Sequence, residues 1–160
     1  MLDGIVGYSI LGNVTECFNM GEIQSTYAYT GGITGYSSSK IINCYNISDM
    51  KTNCKYGAGI CGYNTESGLV INCYNIGAYA SKAIVRTNAG TVTNCYYLVG
   101  GISDGNAIEK TEEEMKTAEF IVSLNINPDT GAAYETSVWI QDNEEIPINR
   151  GYPIFIWQSE

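Results

Sequence analysis

Four cysteines hold the same place in a recurring pentapeptide: Thr15 to Asn19 reads TECFN, Ile42 to Asn46 and Ile71 to Asn75 both read INCYN, and Thr93 to Tyr97 reads TNCYY. Thiols in a series could ligate a metal, close disulfides or act as nucleophiles. A zinc site needs clustered Cys and His at short spacing. The chain has no histidine and no C-x-x-C pair, so no metal site and no cofactor are expected. Stacked in register at about 4.8 Å, Cys17, Cys44, Cys73 and Cys95 would have a Cα separation that suits a disulfide. Parallel side chains give poor S–S torsion, however, so buried free thiols are expected. Cys54 and Cys61 stand outside this register and could meet across a corner as a disulfide.

An aromatic residue follows each repeat cysteine: Phe18, Tyr45, Tyr74 and Tyr96. If the cysteine points inward, an unbent strand points the next ring outward. Phe18, Tyr45, Tyr74 and Tyr96 are therefore the candidate binding residues, a row of rings that could meet a host or bacterial glycan or a surface protein. The alternative is that the rings only stabilise the sheet, or lie inside because the strand bends at the preceding Asn. Catalytic chemistry has little to work with. Residues 1–103 carry five acids, scattered through different repeats, whereas a polysaccharide-active enzyme needs clustered carboxylates. Without histidine the commonest general base is missing, so no catalytic residue is assigned and the chain is expected not to be an enzyme. A net charge of -9 repels phosphate, which argues against nucleic acid.

The elements that would position these residues are set by a second repeat. GIVGY at Gly4 to Tyr8, GITGY at Gly32 to Tyr36 and GICGY at Gly59 to Tyr63 each precede a cysteine motif, and AIVRT at Ala83 to Thr87 is a degenerate fourth. A period of about 27 residues indicates a solenoid, in which each repeat buries its apolar face against its neighbours. Val14, Ile41, Val70 and Val92, each three residues before a cysteine, suit inward positions on stacked strands. The paired glycines suit bends between strands. Residues 1–103 are thus expected to form an all-β parallel β-helix of about four coils with starts near 4, 32, 59 and 83, right-handed by the general rule for parallel connections.

The G-I-x-G-Y and N-C-Y-N pairs resemble the GLUG motif of bacterial surface and secreted proteins. The tail, with MKTAEFIVSLN at Met115 to Asn125, Trp139, and GYPIFIW at Gly151 to Trp157, resembles the segment that closes such arrays. The resemblance implies a β-solenoid with a C-terminal cap, an extracellular or cell-surface setting in a bacterium, and no established catalytic activity. It carries no functional residue to this chain, because the shared positions are structural.

Residues 104–160 read as that cap. Twelve of the seventeen acids and all three prolines fall there. Thr111 with Glu114 forms a capping box, and Met115, Ala118, Ile121 or Val122, and Leu124 lie at helical spacing, so one helix is expected from about 112 to 124. Closing strands follow, with Trp139 and Trp157 in the cap core. No apolar run is long enough for a membrane span, so no membrane insertion is expected in this chain. The array opens at Gly4 without a cap before it, as a segment of a longer protein would, with any signal or anchor elsewhere. Its first coil is then a surface for end-to-end self-association. Two functions remain. One is a structural stalk or display module of a larger adhesin-like protein. The other is a glycan- or protein-binding module that uses the aromatic face or the corners at Thr26 to Gly31, Cys54 to Gly57 and Ala78 to Lys82.

Overall fold

The computed structural model describes residues 4–26, 29–51, 57–78, 81–100, 103–143 and 145–159. The chain separates into two compact units, Met1–Glu109 and Lys110–Glu160. The first unit is rich in β-structure: among its described residues three parallel sheets each take one strand from every repeat, and Thr30–Gly31 pairs parallel with Gly57–Ala58 beside them. The first sheet stacks Val6–Ser9, Thr34–Ser37, Cys61–Asn64 and Val85–Asn88. The second stacks Val14–Thr15, Lys40–Ile42, Leu69–Ile71 and Thr91–Thr93. The third stacks Phe18–Asn19, Tyr45–Asn46, Tyr74–Asn75 and Tyr96–Leu98, and Ile108–Lys110 adds a fifth strand beyond them.

The register follows the repeats. Val14 pairs with Ile41, Ile41 with Val70 and Val70 with Val92, so β-branched residues stack on one another where the sequence places them. They join Ile33, Ile60, Ile84 and the cysteines in one apolar core. Cys17, Cys44, Cys73 and Cys95 are free thiols. Each sulfur donates to the carbonyl two residues before it, at 3.2 or 3.3 Å. Burial pushes the Cys73 thiol well above its ordinary value, which keeps it protonated and inert. Cys61 is buried in the same core. Cys54 lies outside the described residues.

The two glycines of the pentapeptide have different jobs, contrary to the expectation that both form bends. Gly7, Gly35 and Gly62 sit inside strands. The first glycine is the one at the bend, and the reason is crowding: a Cβ on Gly4, Gly32 or Gly59 would lie 2.1, 2.0 or 2.3 Å from the carbonyl oxygen of Gly32, Gly59 or Ala83 in the next repeat. In the fourth repeat the position is Ala83. Ile33 and Thr34 N–H both donate to the Ile60 carbonyl, and Ile60 and Cys61 N–H both donate to that of Ile84. Ile84 and Val85 N–H instead donate to the Asp104 carboxylate at 2.7 and 2.8 Å. A side chain thus stands where a fifth repeat would supply a carbonyl.

In the second unit the expected single helix is two. α1 spans Glu112–Met115 and α2 spans Ala118–Leu124. The Thr111 and Glu114 capping box starts α1. Thr117 then acts as a second N-cap, its hydroxyl accepting from Phe120 N–H at 3.2 Å, which resets the helix. The buried residues are accordingly Met115, Phe120 and Leu124 rather than one continuous stripe, and Val122 is exposed. Trp139–Ile140 pairs antiparallel with Ile154–Phe155. Trp139 is buried and its ring tilts against Phe155, but Trp157, expected in the core, is half-exposed and stacks on Phe155 from outside. The Asp142 carboxylate gathers the loop between these strands by accepting from Ile148, Asn149 and Gly151 N–H.

Candidate functional site

The aromatic row after the cysteines is not an outward platform. Tyr45 and Tyr74 are fully buried, Tyr96 nearly so, and Phe18 is half-buried at the edge. The cause is a bend. Asn43, Asn72 and Asn94, together with Glu16 in the first repeat, take φ of 52°, 52°, 53° and 50°. This left-handed conformation is one that Asn tolerates better than most residues. The turn between the second and third sheets breaks strand alternation, so cysteine and aromatic are both covered. The rings stack instead on each other, Phe18 on Tyr45 and Tyr45 on Tyr74, each pair with centroids 5.1 Å apart. The Tyr96 hydroxyl donates to the Asn94 side chain, which itself donates to Asn72 at 2.7 Å.

The Asn after Phe18, Tyr45 and Tyr74 builds a second buried line. Asn19 Nδ2 donates to Asn46 Oδ1 at 2.9 Å, and Asn46 Nδ2 donates to Asn75 Oδ1 at 2.7 Å. Each amide also donates to a backbone carbonyl two residues on, at Gly21, Ser48 and Gly77. A polar side chain that is buried needs partners, and here they are supplied by the equivalent residue of the adjacent repeat.

An exposed aromatic row exists elsewhere, at the fifth position of the glycine motif. Tyr8, Tyr36 and Tyr63 pair in register in the first sheet. Their rings stack with centroids 4.3 and 5.2 Å apart and planes within 5°. Tyr8 is 51% exposed, and Tyr36 and Tyr63 are half-buried. Tyr29 meets Tyr63 edge-on, and Thr87 takes the equivalent place in the fourth repeat, which ends the row. The Tyr8 hydroxyl, then burial and the neighbouring phenols, raise the Tyr36 phenol above its ordinary value.

Beside this row lies a shallow groove of about 440 Å³, lined by Tyr36, Ser38, Tyr63, Thr65, Glu66, Ser67 and Ala89. Its hydroxyls are loosely tied: Ser67 Oγ donates to the Ser38 carbonyl at 3.3 Å and lies 3.3 Å from Thr65 Oγ1. The Tyr36 ring is stacked on both faces, by Tyr8 and Tyr63, and so leaves its edge open. The groove therefore offers hydrogen bonding with an aromatic wall. Glu66 is the one carboxylate among its lining residues, whereas glycoside hydrolysis uses a pair. Among the described residues no group of three or more Cys, Asp or Glu is placed to hold a metal ion.

The sequence signal for this row was the threefold recurrence of tyrosine in GIVGY, GITGY and GICGY, a pattern easily credited to its glycines alone. Of the corner segments, residues 27–28, 54–56 and 79–80 lie outside the described residues. No family description, no curated protein and no solved structure matches this chain.

Proposed function

We propose that residues 1–103 are a non-enzymatic structural module, a rigid spacer or display segment. In this reading the three sheets close as a parallel β-helix of four right-handed coils, with the remainder as its cap. The observation that carries it is where the recurring residues go. The repeat cysteine, the aromatic after it, the following Asn, the β-branched residue and the first glycine all serve contacts between one repeat and the next. What the chain repeats is the means of stacking. The resemblance to GLUG-motif proteins supports an extracellular or cell-surface setting in a bacterium, within a larger adhesin-like protein.

A second reading, recognition of a neutral glycan or a surface protein, is favoured by one feature: the exposed tyrosine row with its hydroxyl-lined groove. One experiment separates the two. The purified chain is screened against arrays of glycans and extracellular-matrix proteins beside two variants. Asn46→Ala removes the middle of the buried amide line; Tyr36→Ser with Tyr63→Ser alters only the outer row. The structural reading expects no ligand signal and a marked loss of melting temperature in Asn46→Ala. Binding that disappears in the double tyrosine variant, with folding intact, would replace it by the recognition reading.

A further inference from the structure

The groove beside the tyrosine row is periodic. It runs from Tyr36 and Ser38 in the second repeat, through Tyr63 and Thr65 in the third, to Ala89 in the fourth. Ser38, Thr65 and Ala89 hold one equivalent place, because the N–H of each donates at 2.9 Å to the preceding repeat, at the Ser9, Ser37 and Asn64 carbonyls respectively. The strands beneath pair in register, Tyr36 with Tyr63 and Ser37 with Asn64. The Ser38 and Thr65 hydroxyls therefore recur along one line at the strand spacing of about 4.8 Å. Beside them the Tyr36 and Tyr63 ring centroids lie 5.2 Å apart.

These hydroxyls are held but not saturated. Ser38 Oγ donates to the Ile10 carbonyl at 3.5 Å, a long bond, and Thr65 Oγ1 shares one hydrogen bond with Ser67 Oγ. A hydroxyl has one donor and two acceptor sites, so each keeps capacity for a ligand. The open ring edges carry the positive part of the aromatic quadrupole and suit ligand oxygens. Glu66 adds an acceptor for a pair of ligand hydroxyls and repels anions. Residues 1–103 carry five acids and five bases, so no net field draws in a charged partner. A ligand that fits is neutral, rich in hydroxyls, and itself repeats at about one strand spacing. An extended β-1,4-linked chain of hexopyranose units meets all three conditions, since each sugar advances the chain by about that distance. A coiled α-linked chain loses the spacing, and a polypeptide lacks the hydroxyls.

We propose that this groove binds a neutral, extended β-1,4-linked glycan laid across the stacked strands, one sugar to a repeat. The proposal rests on the recognition reading of the tyrosine row and gives it a ligand class and a direction. Ser38 and Thr65 hydrogen-bond successive sugars, Tyr36 and Tyr63 wall the same two, and Glu66 accepts from a hydroxyl pair. Ala89 marks where the line of hydroxyls stops.

Isothermal titration of the intact chain with cello- and chito-oligosaccharides, from monosaccharide to hexasaccharide, tests this, with maltohexaose as the α-linked control. Affinity is expected to rise roughly tenfold or more from the monosaccharide to the trisaccharide and then to level off, with no signal from maltohexaose. Thr65→Val keeps the shape but removes the hydroxyl, and should weaken binding roughly two- to tenfold. Ala89→Ser carries the line of hydroxyls into the fourth repeat, and should tighten binding and lengthen the preferred oligosaccharide by one sugar. Val122→Glu, exposed in the other unit, should change nothing. Circular dichroism melts verify that the variants fold. Equal binding of α- and β-linked chains, a monosaccharide that binds as well as the hexasaccharide, or affinity untouched by Thr65→Val overturns the proposal. Silence from every β-linked oligosaccharide overturns it too: the recognition reading then stands if another array ligand binds through Tyr36 and Tyr63, and falls if none does.

Discussion

At the scale of single residues, the corner between the second and third sheets explains both a success and a miss in reading the sequence. The Asn before Cys44, Cys73 and Cys95 was visible as a place where the strand could bend, but nothing local says that it adopts a left-handed backbone. Once it does, ring and thiol are both covered, and the exposed row shifts to Tyr8, Tyr36 and Tyr63. Glu16 occupies the same corner at φ 50° without the tolerance that Asn has. Glu16→Asn should therefore stabilise the chain by about 1 kcal/mol, read as a higher denaturant midpoint at constant slope. No gain, or a loss, would show that the Glu16 side chain has a compensating role.

At the scale of elements, the helical segment shows how a cap can outrank periodicity. The apolar spacing through Met115 and Leu124 fits one helix, yet Thr117 intercepts the Phe120 N–H and divides it. The capping box before it was legible because two specific residues at fixed spacing define it. The Thr111 N–H bonded to Glu114, and then Lys110, hold the Glu114 carboxyl below its ordinary value. A carboxylate whose pKa is lower when folded than when unfolded contributes stability above the unfolded value, and that contribution is lost as pH falls through the folded value. Helical circular dichroism from the segment should therefore weaken only on acidification below the ordinary Glu range. Glu114→Gln retains the hydrogen bond and should remove most of that pH dependence; an unchanged titration would assign the effect to Glu113, whose carboxyl is also held below its ordinary value.

At the scale of the whole first unit, the 27-residue period foretold stacked parallel strands and the equivalence of Val14, Ile41, Val70 and Val92, because a repeat's inward residues must meet their own kind. The way the stack ends was not legible. Asp104 lies outside every repeat, and its part as an acceptor for two main-chain amides appears only in three dimensions. Removing it leaves two buried donors unpaired, so Asp104→Ala should cost roughly 2–5 kcal/mol. Asp104→Asn, which keeps an acceptor, should cost less. Equal melting temperatures for the two variants would mean that water replaces the carboxylate. The pairing of Ala83 with Asp104 also bears on how such an array could change in length over evolution. A duplicated repeat could be inserted between existing ones, because each glycine-led unit accepts a successor, but none could be appended after the fourth without reverting Ala83 to glycine and displacing Asp104. Lengthening at that end is therefore barred for as long as Ala83 and Asp104 stand there.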